Sequence, residues 1–481
     1  MLRLIIKQTQ WGVFGALFAF TIGFFVKIYL IDIVGLESWG KYVIAQTFAS
    51  FSETILSIGI PFVIIKFFPS FIEENKAKAS RIANVFLKYA LFVGCGYAVL
   101  IFFISNYINH FVYSDIDDLS WLLCVICIHV PISMLFGVII SLYRSKLKIK
   151  EIVVYGTVVN VIVRAILTFI IFQFTNDIVY FIILEIFTQI LVLSIMLYLF
   201  NKNEFSILLK SDTKEVIQDS KMIDYGKKMF YNSVVTFIAS QGLSFIIAIR
   251  LTSSDVGAFN ILLTLTGLTT FLLINLNKVF APAISKLHNE KRNNELNVLY
   301  KKTTFLFNIF AVPLAVIIAI FSDEILGLYT SEMLVYKKYL LYMLIGAILN
   351  LAAGSSGTFM IMAGLEKQNL KIQLIRAFLL IFLSLLFIPV IGLLSVVGIY
   401  VISNLLVNGV QVIFIVKYLK ISPFSKELFF VFGLTIIAMY IAINQEFIFQ
   451  KFHFITVPII VYVCYFGLLF KSFKKIIKEI L

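Results

Sequence analysis

Long apolar runs broken by short polar segments fill the chain from residue 11 to residue 470, and each run reads as a helix able to cross a hydrocarbon core about 30 Å thick. Fourteen spans are predicted: Trp11–Val34, Tyr42–Ile65, Ile82–Ile104, Leu119–Tyr143, Ile152–Phe174, Ile178–Phe200, Met229–Leu251, Val256–Lys278, Thr304–Leu326, Tyr339–Ala363, Ile372–Ile391, Val396–Val416, Leu428–Ile443 and Phe454–Phe470. Unpaired backbone groups are costly in lipid, so runs of this length must be helical. The ten-residue alternation of an outer-membrane barrel strand does not occur. The pattern predicts an all-α polytopic membrane protein.

Composition agrees. Of 481 residues, 61% are hydrophobic and 14% charged, against roughly 25% charged in a soluble domain. The net charge of +14 would suit a nucleic-acid binder, but the cations are distributed as a topology signal. With the N-terminus inside, 33 of the 40 Lys and Arg fall on the cytoplasmic side. Five fall outside (Lys41, Arg250, Lys337, Lys338, Lys451), and Lys27 and Arg164 lie within spans. That asymmetry predicts both termini in the cytoplasm and excludes nucleic acid as a partner. The first run is too long for a signal-peptide core and no small-x-small site follows it, so it is expected to be retained as span one.

The polar segment after span six divides the chain. Residues 1–200 are expected to form an N-terminal lobe of six helices, 201–228 a cytoplasmic linker, 229–420 a second six-helix lobe, and 421–481 an accessory helix pair with a cytoplasmic tail. Val34–Ala45 (VGLESWGKYVIA) and Leu251–Leu262 (LTSSDVGAFNIL) bridge the first two spans of each half, with the same length and, shortly after an acid, the same Gly–x–aromatic order. With even helix numbers per half, the repeats would be parallel and pseudo-symmetric.

Polar residues inside spans mark the faces turned away from lipid. Span two carries Gln46, Ser50 and Glu53, span five Asn160 and Arg164, and span six Glu185 and Gln189. In the second half, Asn260 lies in span eight and Asn404 and Asn408 in span twelve. Spacings of three, four and seven place each set on one face. Interhelical hydrogen bonding accounts for single Ser, Thr and Gly positions. Lys27, Glu53, Arg164 and Glu185 each cost about 2.5–3.5 kcal/mol at mid-membrane, so they need water or one another. A hydrated cavity and plain pairing both satisfy that need. Arg164 and Glu185 lie at similar depths on either side of the short Thr175–Asp177 turn, within reach of each other.

Other motifs fall away. Gly35–Lys41 imitates a phosphate loop, but Tyr42 stands where a hydroxyl would hold magnesium and no strand precedes it. Cys124 and Cys127 make a C-x-x-C with no second pair or His cluster, so no metal site or cofactor is expected, and Cys95 and Cys464 also sit in spans. Asp115, Asp117 and Asp118 form an acidic run that reads as a solvated turn. Outer loops are too short for a polymerase or glycosyltransferase site, so no enzyme is expected.

Leu36–Gln46 followed by Leu56–Pro61 resembles the opening of the Wzx-type polysaccharide (O-antigen) unit flippases. Ala353–Asn369 and Ile388–Gly398 are similar to that group's tenth helix and its bend between helices eleven and twelve. The group belongs to the multidrug/oligosaccharidyl-lipid/polysaccharide (MOP) superfamily, and the resemblance covers the first twelve spans. It implies alternating access by two lobes and transfer of undecaprenyl-diphosphate-linked oligosaccharides from the cytoplasmic to the outer leaflet of the bacterial inner membrane. Membrane lipids and a polysaccharide polymerase would be the partners, and surface polysaccharide such as lipopolysaccharide the product. In that picture Lys27 and Arg164 attract the diphosphate, and Glu53 and Glu185 balance the empty cavity, one of them able to carry a coupling ion. Gln46, Ser50, Asn160, Gln189, Asn260, Asn404 and Asn408 line the path. Lipid II flippases and cation-coupled multidrug exporters of the same superfamily are the alternatives. Span two lacks the cavity arginine of the lipid II group, and twelve helices suffice for an exporter.

Overall fold

The computed structural model describes residues 2–113, 116–207 and 220–433, and every regular element among them is helical. Nine of these helices are long and apolar enough to cross a membrane, and a bent pair over Lys221–Arg250 would make ten. Most of predicted span thirteen, all of span fourteen, the tail, residues 208–219 of the 201–228 linker, Asp115 and Cys464 lie outside the described residues. The chain divides into two compact units, Met1–Gly257 and Ala258–Leu481.

In the first unit, predicted spans one and two are a single helix, α1 (Leu2–Leu56), interrupted only at Gly35. That residue has φ 82° and ψ 164°, a conformation open essentially to glycine, so the chain turns without unwinding its neighbours. Span two does not run straight to Ile65. It breaks at Ile58 and Gly59, both at positive φ, and continues as α2 (Ile60–Glu74), with Pro61 fixing φ in its first turn. A side chain at Gly59 would meet the Gly226 carbonyl at 2.6 Å. Next comes α3 (Lys76–Val112), capped by Asn75, whose Oδ1 accepts from Ala77 N at 2.8 Å. It packs tightly on α4 (Leu119–Ser145), since a Cβ at Gly94 would sit 2.6 Å from Pro131 Cα.

Span five is one rod built of α5 (Ile149–Glu151), a π-helical stretch Ile152–Val158, and α6 (Val159–Ile171). The wider turn inserts a residue and rotates every later side chain, which sets where Arg164 points. A short turn leads to α7 (Val179–Asn203). Beyond it Glu204, with its side chain 6% exposed, is clamped by Lys146 and Lys148. Burial pushes the Lys146 ammonium down, and Lys148 and Lys76 push the same way. The next helices are α8 (Ser220–Arg250) and α9 (Ser253–Asn289). Thr252 and Asp255 cap α9 reciprocally: Thr252 Oγ1 donates to Asp255 Oδ2 at 2.8 Å, and Asp255 N donates back at 3.2 Å.

The two segments that match in sequence touch each other. A Cβ on Gly40 would lie 1.7 Å from the Ser253 carbonyl oxygen, and one on Gly257 would lie 2.7 Å from the Leu36 carbonyl oxygen. Leu36 and Gly40 hold the places in the first segment that Ser253 and Gly257 hold in the second, so the contact is reciprocal, as about a local two-fold axis.

The second unit continues with α10 (Asn293–Ile320), α11 (Ser322–Gly327), a 3-10 turn at Ser331–Tyr336 and α12 (Lys337–Ala352). It closes with α13 (Ser356–Met362), α14 (Glu366–Ile391) and α15 (Leu393–Leu419). Predicted span ten is thus broken between α12 and α13, around Gly354 at φ 58°. The freed carbonyls are satisfied from α10: Tyr300 OH donates to Ala353 O and Asn308 Nδ2 to Leu351 O, both at 2.8 Å. Tyr300 also stacks on Phe359 at 4.1 Å in this unit's core.

Candidate functional site

A cavity of about 170 Å³ lies within the first unit. Its walls come from both limbs of α1 (Lys27, Trp39, Tyr42), from α6 (Arg164) and from α7 (Phe181, Glu185). The break at Gly35 builds it. Lys27 and Trp39 are twelve residues apart, about 18 Å along a straight helix, yet the Lys27 ammonium sits over the Trp39 ring, 5.2 Å from its centroid. Cation and indole face attract. Gly23 opens the same wall, with nothing within 4 Å of where its Cβ would be.

Glu185 anchors the opposite side. It is 9% exposed, and its two oxygens take different donors, Arg164 Nη1 at 2.7 Å and Tyr42 OH at 2.8 Å. The pair expected across the Thr175–Asp177 turn is therefore made, with a tyrosine as third member. Tyr42 meets the Phe181 ring edge-on at 5.3 Å, and the Arg164 guanidinium lies 6.0 Å from the same ring. The Trp39 indole N–H is buried and has no acceptor. Lys27 and Arg164 against Glu185 leave this wall one formal positive charge in excess. Cation, guanidinium and unused indole N–H together suit a small anionic group.

The remaining expected residues are not part of this cavity. Gln46 lies one turn beyond Tyr42, and its Oε1 is buried without a donor. Ser50 and Glu53 follow on the same limb, both half-buried. Asn160 is half-buried one turn before Arg164. Gln189, one turn past Glu185, joins α7 to α4: its Oε1 meets His129 Nε2 at 2.5 Å and its Nε2 donates to Ser133 Oγ at 3.3 Å. Ser133 Oγ closes the ring on His129 Nδ1 at 3.1 Å.

In the second unit Asn260 is half-buried, and its carbonyl accepts from Thr264 Oγ1 at 2.8 Å. Asn404 and Asn408 belong to an amide ladder. Asn408 Nδ2 donates to the Asn404 carbonyl at 2.8 Å and also reaches Asn350. Ser356 Oγ bridges Asn408 Oδ1 at 3.0 Å and Gln411 Oε1 at 2.7 Å, and Gln411 Nε2 donates to Asn369 Oδ1 at 2.8 Å. At its head, Arg376 Nη2 donates to Asn404 Oδ1 at 2.8 Å.

Sequence reasoning missed Trp39, which fell between predicted spans one and two, and Tyr42, which stood at the very start of span two; both are within helix α1. It passed over His129, a single imidazole in an apolar run. It also counted Arg376, four residues into predicted span eleven, with the cytoplasmic cations, whereas α14 begins at Glu366 and carries Arg376 ten residues in.

No curated protein sequence matches the chain. Solved structures do. The lipid II flippase MurJ in an inward closed conformation aligns with TM-score 0.70 at 16% identity, covering 96% of this chain and 98% of that one. An inward-facing multidrug resistance MATE family transporter of the MOP superfamily aligns at 0.69 and 14% identity, covering 83% and 94%. A MOP superfamily transporter from Pyrococcus furiosus aligns at 0.62 and 12% identity, covering 87% and 95%. These likenesses establish the fold. The sequence pattern of the polysaccharide biosynthesis proteins matches residues 32–337, which takes in the break at Gly35 and the limb after it with Trp39 and Tyr42, the Arg164–Glu185 pair and the reciprocal glycine contact, but not Lys27. With the fold of the MOP transporters and that match over most of its length, the chain belongs to the polysaccharide biosynthesis protein family.

Proposed function

We propose that this membrane protein is a Wzx-type flippase, not an enzyme. It moves undecaprenyl-diphosphate-linked oligosaccharide units from the cytoplasmic to the outer leaflet of the bacterial inner membrane, by alternating access of two six-helix lobes (1–200 and 229–420). Both termini and the 201–228 linker are cytoplasmic in this reading, and 421–481 is accessory. The observation that carries it is the small cavity of the first unit, where Lys27, Arg164 and the unused Trp39 N–H converge inside otherwise apolar helices. Fixed cations in a pocket walled by apolar helices select an anion, and a diphosphate is the anionic part of a lipid-linked glycan.

Lys27 offers the diphosphate a charge cushioned on an aromatic face, and Arg164 presents its guanidinium through the Glu185 pair. Glu53 is the acid left for a coupling proton or sodium ion, because Glu185 is already engaged. Moving one charge across 100 mV is worth about 2.3 kcal/mol, enough to bias the cycle. Gln46, Ser50, Asn160, Gln189, Asn260, Asn404 and Asn408 supply polar contacts for the glycan or keep the helices that shape its path in register. A polysaccharide polymerase would take up the delivered unit.

Deleting the gene is the test. Lipid-linked glycan units are expected to accumulate on the inner leaflet while surface polysaccharide is lost. Arrest of the peptidoglycan layer would assign lipid II instead, and normal surface glycan with drug sensitivity would assign an exporter.

A further inference from the structure

We propose that Arg376 is an anion-binding residue of the second unit, its guanidinium held open for an oxyanion of the transported molecule. The inference rests on the flippase reading and adds to it a second anion position, carried by different helices from the first.

Arg376 lies ten residues into α14, about 15 Å along an apolar span. Arginine stays charged in such a place and therefore needs a counter-charge or a full set of acceptors. Arg164 in the first unit has its counter-charge, Glu185 at 2.7 Å. Arg376 has none: among the described residues no carboxylate pairs with it. Its one hydrogen bond goes to a neutral amide, Asn404 Oδ1, and its Nε–H is buried with no acceptor. A buried unfilled donor on a permanent cation carries a large penalty unless something fills it.

The described neighbours do not fill it. Asn404 gives its side-chain oxygen to Nη2 and its carbonyl to Asn408. Asn408 is in turn held by Ser356, and Ser356 by Gln411. Each link fixes the next, so the ladder holds the guanidinium by Nη2, and none of its oxygens, nor the neighbouring Tyr400, makes a hydrogen bond to Nε–H. Among the described residues nothing supplies the missing group, which leaves the position to an acceptor on the transported molecule. A sugar hydroxyl would satisfy the hydrogen bond and leave the charge; a phosphate or carboxylate does both, and its geometry matches the planar fork. Two parts of a lipid-linked glycan carry such a group, the diphosphate of the carrier and the carboxylate of an acidic sugar.

The test measures binding to the full chain in nanodiscs, with undecaprenyl diphosphate as one probe and a soluble uronic-acid oligosaccharide as the other. Two variants separate charge from folding. Arg376→Gln removes the cation; Asn404→Asp leaves Arg376 in place and puts a carboxylate where Asn404 Oδ1 already touches it. Both are expected to weaken binding by about tenfold or more. Loss confined to the lipid probe identifies the diphosphate as the ligand group, and loss confined to the oligosaccharide identifies the carboxylate. Binding of both probes by both variants within twofold of the unaltered protein would overturn the assignment and leave the flippase reading standing. An unaltered protein that binds neither probe would overturn both.

Discussion

Removing Arg164 should harm this protein mainly through what it does to Glu185. That carboxylate is 9% exposed and holds two donors, Arg164 Nη1 and Tyr42 OH. Breaking a buried ion pair by deleting one partner costs about 3–5 kcal/mol, because the other charge stays behind unpaired. Here the figure is smaller. The Arg164 side chain is 30% exposed, so water already screens one end of the pair. The Tyr42 bond survives, and a hydrogen bond to a charged group is worth about 1.5–3 kcal/mol. Arg164→Ala is therefore expected to destabilise by about 2–3 kcal/mol, and Tyr42→Phe by about 1.5 kcal/mol. Arg164→Ala combined with Glu185→Ala should cost less than Arg164→Ala alone, since no stranded carboxylate remains. The assay is a double-mutant cycle on denaturation of the purified protein in nanodiscs, read beside expression level. The exchange Arg164→Glu with Glu185→Arg separates the roles: it restores expression and transport if the pair only braces α6 against α7, and expression alone if Arg164 meets the diphosphate. An Arg164→Ala protein as stable as the unaltered one, or a double variant less stable than the single, would refute this account of the pair.

Two further outcomes are expected. Gly40→Ala and Gly257→Ala should each lower the amount of folded protein, because the added methyl meets a backbone carbonyl at 1.7 Å and 2.7 Å and overpacking costs about 1–3 kcal/mol; Gly23→Ala, facing open space, is the control, and equal abundance of all three would disprove the close approach. Reporter fusions after Lys227 and after Leu481 should both read as cytoplasmic, and an external signal at either would remove the topology on which the two-lobe reading depends.

The sequence by itself determined that the chain is a bundle of membrane helices, because an apolar run of spanning length has no other low-energy state in lipid. It also picked out Lys27, Arg164 and Glu185, since charged residues inside such runs are too costly to be incidental. The Arg164–Glu185 pair was legible because a very short turn forces α6 and α7 to be antiparallel neighbours at matched depth. Tertiary structure decided the rest. One glycine at φ 82° folds Lys27 back over Trp39, a contact between residues that a straight helix would hold about 18 Å apart. The π-helical stretch before α6 shifts the register of every later side chain on that rod, Arg164 included. By sequence Arg376 counts with the cytoplasmic cations, because it falls only four residues into predicted span eleven; α14 starts at Glu366 and carries it ten residues in, and only the hydrogen-bond partners around it show that no described carboxylate pairs with it. Hydropathy reports how much polarity a segment carries and where it falls in sequence. It does not report the helix breaks and rotations that choose which polar groups meet, and those are set by single backbone angles and by packing between helices distant in the chain.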